Sequence, residues 1–357
     1  MKIGIYSPTI RRKEMAAVLT AMVENRIGPG EQAKTLIQIA REKIKFDYCL
    51  TLRSPAIALY LALKSLGMER GQGVLISALS PLYYARVIEG LGLIAVYCDV
   101  SPASPCVSLE TAKKAIVSIH GGPDLRCIVL HHTLGYLPDV ADFAELGLQV
   151  IEDCSQSYGT LAGEDFASDE EGGSAHLQHV SHGNSFSILG LEERDMFTSG
   201  GGALLFSANR RDSAMLRNLG DLPLEYGLPD MNAALAVVQF REAEKNLLKR
   251  REIAQLYTQS ALRTRHKMFV QQKAEYNNYA FPLVLESGMN DVKTYARRKD
   301  ITIENAFENT LTGSGIVSKE NCPEAYSLSL RTVIFPLYPR LGMTNAAKVA
   351  KLIQTLP

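Results

Sequence analysis

From residue 47 to residue 151, short apolar runs alternate with stretches whose apolar residues return every three or four positions. The runs at 47–52, 73–77, 93–98, 127–130 and 149–151 have the length of buried strands. The stretches at 55–66, 81–91, 109–119 and 139–146 have the period of helices that pack on one face. Repeated alternation of this kind predicts an α/β fold, a mostly parallel sheet between two layers of helices. Residues 159–184 break the rhythm with Gly, Ser, Asp, Glu and His, and predict a long surface loop. After it come a run at 185–189, the triplet Gly200-Gly201-Gly202 and a strand at 203–207. A helical pattern then extends from 230 to 262, followed by a strand at 279–285, a helix at 291–299, a strand at 332–337 and a closing helix at 345–356. The long helix suits a connector between lobes. The expected division is a large domain at 1–245, with an N-terminal segment at 1–30, and a smaller α+β domain at 246–357.

Composition narrows the partners. Lys plus Arg and Asp plus Glu both number 38, so there is no basic field to attract nucleic acid or an anionic membrane. No stretch approaches the roughly 20 apolar residues of a membrane helix, and the N-terminus lacks the apolar run of a signal peptide. A cytoplasmic protein with small-molecule or protein partners is expected. The six cysteines are scattered without a C-x-x-C pair, as structural thiols in a reducing compartment would be. His176, His179 and His182 recur at three-residue spacing but have no acidic or cysteine partner at ligand spacing, so no metal is expected there. Gly200–202 lead into a strand instead of following one and opening a helix, which excludes a dinucleotide-binding turn.

The segment after the strand at 149–151 carries the strongest chemical signal. It reads EDCSQSYG from Glu152 to Gly159, which places Asp153 at the carboxyl edge of the sheet, where open α/β folds bind ligands. A carboxylate there can hold a protonated ring nitrogen or simply cap a neighbouring helix.

Further segments, in order, resemble the DegT/DnrJ/StrS family of sugar aminotransferases. They are NRIGPG (25–30), SPAIALYLAL (54–63), LHHTLG (130–135) with His132, EDCSQ (152–156), Phe186-Ser187, TSGGGA (198–203), YGLPDMNAAL (226–235) and FPLYP (335–339). The resemblance spans nearly the whole chain and implies fold type I of the enzymes that use pyridoxal 5'-phosphate (PLP). It also implies an isologous dimer with shared sites and a nucleotide-linked sugar as ligand. By the same resemblance Asp153 would face the pyridine nitrogen, which must stay protonated for the ring to act as an electron sink. Gln156 would lie by the cofactor ring and Ser187 by the phosphate, and Ser54 and Ala56 would stand at the phosphate-binding helix start.

Against that pattern the chain has lost its amine. No lysine occurs from residue 115 to residue 244, the stretch in which the family keeps the lysine that holds the cofactor aldehyde. Glu192 or Arg194 occupies its place, and neither forms an imine. A lysine arriving from Lys34, Lys43 or the small lobe would be the only replacement. The Gly-Thr pair that cradles phosphate reads Pro55-Ala56, which lacks both the N–H and the hydroxyl. Glu225 and Gly227 stand where the family has an Asn and an Arg, and Pro81 stands where it has a stacking ring. Each lost charge-assisted hydrogen bond is worth roughly 1.5–3 kcal/mol, so PLP binding weakened by several powers of ten is expected. Two readings follow. One is a sugar-aminotransferase-like protein that no longer transaminates, binding a nucleotide-sugar-like ligand as a homodimer or pairing with an active relative. The alternative is an active aminotransferase or dehydratase-like enzyme that holds PLP non-covalently, with His132, Arg194 or Glu192 as acid or base.

Overall fold

The computed structural model describes residues 2–162, 185–269 and 274–357. The expected loop with His176, His179 and His182 therefore lies almost wholly outside the described residues.

Helices α1 (Arg12–Val23) and α2 (Glu31–Lys43) precede the first strand, β1 (Tyr48–Leu52). Then come α3 (Pro55–Ser65), β2 (Gly73–Ser77), α4 (Leu82–Gly90), β3 (Ile94–Cys98), α5 (Leu109–Ser118), β4 (Leu125–His131) and β5 (Gln149–Asp153). After β6 (Leu161–Ala162) follow β7 (Phe186–Gly190), β8 (Ala203–Ser207), α6 (Arg210–Arg217), α7 (Asp230–Arg241) and α8 (Ala243–Ala261). The chain closes through β9 (Ala274–Glu275), β10 (Phe281–Val284), α9 (Met289–Arg298), β11 (Glu304–Asn305), α10 (Pro323–Arg331), β12 (Thr332–Phe335) and α11 (Met343–Gln354).

Seven strands form one sheet in the order β1-β8-β7-β5-β4-β2-β3, parallel except that β8 runs against both neighbours. The predicted mostly parallel sheet is present. Its strands are near-continuous apolar runs because both faces are covered: β2, β7 and β8 are buried at every position. A second, smaller sheet, β10-β12-β11, is antiparallel and packs with α8, α9 and α11 around Phe281, Val333, Phe335 and Tyr257. The N-terminal strand-like segment crosses to this layer, where Ile3 bridges to Ile301.

Three expectations were altered. The long helix is two, α7 and α8, interrupted at Glu242 (φ −93°, ψ 3°), whose carboxyl is held by Lys13 at 2.5 Å. The stretch at 139–146 forms a 3₁₀ helix, Val140–Leu146, closed by Gly147 in the left-handed region (φ 65°). Helices α1, α2, α6 and α10 were not anticipated, although α2 buries Ala33, Leu36 and Ala40 at helical spacing.

Candidate active site

The parallel strands end on one edge, and a cavity of about 420 Å³ opens there against the smaller sheet. From the large sheet it takes His131 at the end of β4, Asp153 at the end of β5 with Ser155 and Gln156 just after, and Glu192, Arg194 and Asp195 after β7. Ala280, Glu304, Glu308 and Phe335 close the opposite wall, and Tyr6 reaches in from the N-terminal segment.

Asp153 is the best-connected residue in the site. It is 2% exposed. Its Oδ2 accepts the hydroxyls of Tyr83 (2.9 Å) and Tyr84 (2.7 Å), while Oδ1 accepts the Ser155 N–H (3.0 Å) and the Ser155 hydroxyl. Both tyrosines come from the first turn of α4, just past Pro81, so the cavity gains an aromatic wall two residues beyond the expected one. Burial and the Asp153 charge push both phenols up, which keeps them as donors.

The Ser155 hydroxyl also accepts the Gly190 N–H at 2.7 Å. A Cβ at Gly190 would stand 2.2 Å from Asp195 Oδ2, so any larger residue here would have to push the Asp195 carboxylate off the β7 end. Asp195 was missed by sequence reasoning, since a carboxylate in an EERD run reads as a solvated loop. Its one hydrogen bond among the described residues comes from the Glu192 N–H at 2.9 Å. Protein packed around the group withdraws solvent from its charge, which raises its pKa to about 7, with Asp153 and Glu192 adding repulsion.

The other candidates scatter. Arg194 and Glu192 line the cavity, but Arg194 is tied across the mouth to Glu304 of β11 at 2.7 Å, which raises its pKa further. Burial raises the pKa of Glu192. Gln156 is on the wall with its carbonyl taken by the Leu134 N–H at 2.7 Å. His132 points away: it is 2% exposed, bonds Ser157 at 2.7 Å and lies 3.2 Å from Glu152, off the cavity wall. Its neighbour His131 faces the cavity instead, its ring Nδ1 3.0 Å from the Thr133 hydroxyl; burial lowers its pKa to about 4, so the ring is neutral at pH 7. Ser187 is buried within β7 and does not reach the wall. Ser54 accepts the Ile57 N–H at 3.3 Å and Pro55 fills the first turn of α3, so this start is capped by its own side chain; neither Ser54 nor Ala56 lines the cavity.

Among the described residues no lysine lines the cavity. Lys34 pairs with Glu31 at 2.7 Å and Lys43 with Glu244 at 2.9 Å, both on α2 and off the wall. Among the described residues no group of three or more His, Cys, Asp and Glu could hold a metal ion.

Residues 8–354 match the DegT/DnrJ/EryC1/StrS aminotransferase family. The chain belongs to that family. Among its relatives, the dTDP-4-dehydro-2,3,6-trideoxy-D-glucose 4-aminotransferase of Saccharopolyspora spinosa is 24% identical, over 98% of this chain and 95% of that protein. GDP-perosamine synthase of Vibrio cholerae is 22% identical over 88% and 87%. In structure, a DegT/DnrJ/EryC1/StrS aminotransferase from Brucella abortus superposes with a TM-score of 0.83 at 18% identity, covering 96% of this chain and 94% of that one. A Streptococcus pneumoniae protein solved with the amino form of the cofactor gives 0.83 at 16% identity, over 99% and 97%. These likenesses confirm the PLP-transferase fold, and among the described residues no helix is long and apolar enough to cross a membrane.

Proposed function

We propose that this family member does not transaminate through a chain-held cofactor, and that its cavity binds the sugar part of a nucleotide-sugar-like ligand. The observation that carries this reading is the cavity wall itself, which has no lysine among the described residues and has a carboxylate, Asp153, whose two oxygens are already spent on four donors of the same chain. A pyridinium nitrogen would have to displace a tyrosine hydroxyl to reach Oδ2. The α3 start offers neither a side-chain hydroxyl free of the cap nor an N–H at Pro55. The residues thus do not fit PLP.

What supports a sugar is the spacing of neutral donors and acceptors around the wall. The Gln156 NH2 and the His131 Nε2 make no hydrogen bond among the described residues, and Tyr83 presents an aromatic face. The relatives named for dTDP- and GDP-linked sugars support the same ligand class. An isologous dimer belongs to the proposal, supported by the exposed apolar side of α1 at Met15, Leu19 and Met22 and by the exposed Leu224. So does a division of the chain at 245/246, just inside α8.

The alternative, an active enzyme with PLP held non-covalently, draws on Asp153 and Gln156 at the cavity. The two readings separate in one experiment. Equilibrium dialysis with PLP, followed by addition of glutamate, should show weak retention and no conversion of PLP to its amino form. Stoichiometric retention with glutamate-dependent conversion would overturn the proposal.

A further inference from the structure

The acid–base balance of the cavity points to a particular kind of sugar. Five carboxyl groups line it, Asp153, Glu192, Asp195, Glu304 and Glu308, against two arginines, Arg194 and Arg250. Both arginines are engaged: Arg194 with Glu304, and Arg250 with the carbonyls of Asn278, Tyr279 and Leu337 at 3.0–3.2 Å. Asp195 has no cationic partner among the described residues. Beside this acid surplus, His131 is 6% exposed, lines the cavity and has an Nε2 that bonds nothing among the described residues. The Thr133 hydroxyl can give its proton to the His131 carbonyl at 3.3 Å, so the ring donates from Nδ1 and Nε2 is left as an acceptor.

Resting on the reading that the cavity takes a sugar without PLP, we propose that the sugar carries a primary amine, whose ammonium group is held by Asp195 and accepted by His131 Nε2, with the Gln156 NH2 on a neighbouring hydroxyl. An ammonium supplies three donors where the wall offers acceptors, and its charge offsets the carboxylate surplus. A phosphate dianion in the same cavity would meet that surplus unfavourably, so any diphosphate lies beyond the mouth. The chain thus recognises an amine of the chemical kind its relatives are named for making, without using it as a nitrogen donor.

With the Asp195 carboxyl pushed up to about 7 by burial, an ammonium bound to its charged form should displace on average about half a proton per site at pH 7. The charged and titratable groups facing Asp195 are Asp153 from β5, Glu192 of its own turn, Tyr83 from α4, Tyr279 ahead of β10 and Tyr6 of the N-terminal segment, and burial keeps the pKa of each tyrosine above its ordinary value. None of these tyrosines releases a proton at pH 7.

The test is titration calorimetry of the full chain at millimolar D-glucosamine, D-glucose, N-acetyl-D-glucosamine and 1,4-diaminobutane, in two buffers of different ionisation heat. The expected result is at least about tenfold preference for glucosamine over the two neutral sugars, with proton release that falls in Asp195→Asn relative to wild type. Glucosamine should also exceed diaminobutane, which lacks hydroxyls for Gln156. Equal binding of glucose and glucosamine, no binding of glucosamine, equal binding of diaminobutane, or proton release unchanged in a folded Asp195→Asn protein would each overturn the inference. Retention of PLP with glutamate-dependent conversion would instead overturn the reading on which it rests.

Discussion

Two turns meet at the cavity, and they are held in very different ways. The turn after β5 places Asp153 and Gln156 on the wall. The turn after β7 brings Glu192, Arg194 and Asp195 to the wall. The difference follows from what each turn supports. Asp153 organises Tyr83, Tyr84 and Ser155, and through Ser155 the Gly190 N–H, so it is bound into the fold whatever the cavity holds. The β7 turn is fixed from behind by Phe197, stacked on Phe240 at 3.9 Å, which leaves its cavity-facing residues free to change.

The largest effect should come from removing the anchor of the β7 turn. Phe240 is fully buried between Phe197 and Tyr158, and Phe240→Ala should cost about 3–5 kcal/mol in denaturant unfolding. Next, Asp153→Ala strands the buried Tyr84 hydroxyl and the Tyr83 hydroxyl, at about 1–3 kcal/mol each. A neutral or stabilising result would mean that Asp153 is kept for a ligand and not for the fold, which would erase the contrast between the turns.

Asp195→Asn should go the other way. Its folded pKa of about 7 lies above the unfolded value near about 3.9, so its contribution to stability is full below pH ~4 and is lost as pH rises through 7. At pH 8 the variant should be more stable than wild type by about 1–2 kcal/mol, well under the full linkage value because water reaches the cavity, and the gap should close by pH 4. Thermal unfolding across that range checks it. The smallest effect is expected at Arg194→Ala, whose exposed pair with Glu304 is worth under ~1 kcal/mol and should weaken further with added salt.

Much of the scaffold was legible because parallel strands buried on both faces write themselves as continuous apolar runs, as in β2, β7 and β8. The N-terminal helices were not, since α1 leaves Met15, Leu19 and Met22 exposed and so shows no clear buried stripe. In the site, Asp153 and Gln156 were found from the strand end that carries them. His131 was missed in favour of His132 because successive residues at a strand end face opposite ways, and motif spacing does not say which one meets the cavity. The two tyrosines of α4 were invisible for a different reason: their significance lies in bonds to Asp153 across about 70 residues of chain, which no local pattern records, and Asp195 was hidden because an EERD run reads as a solvated loop.

On the proposed reading the cavity lacks an amine able to hold the cofactor. Intact mass after PLP incubation and borohydride reduction, run beside Glu192→Lys and Arg194→Lys, measures it most directly. The account predicts no stoichiometric adduct on the wild-type chain under conditions in which an active family member takes one per chain. A single adduct on the wild-type protein, mapped to a lysine at the cavity, would contradict it.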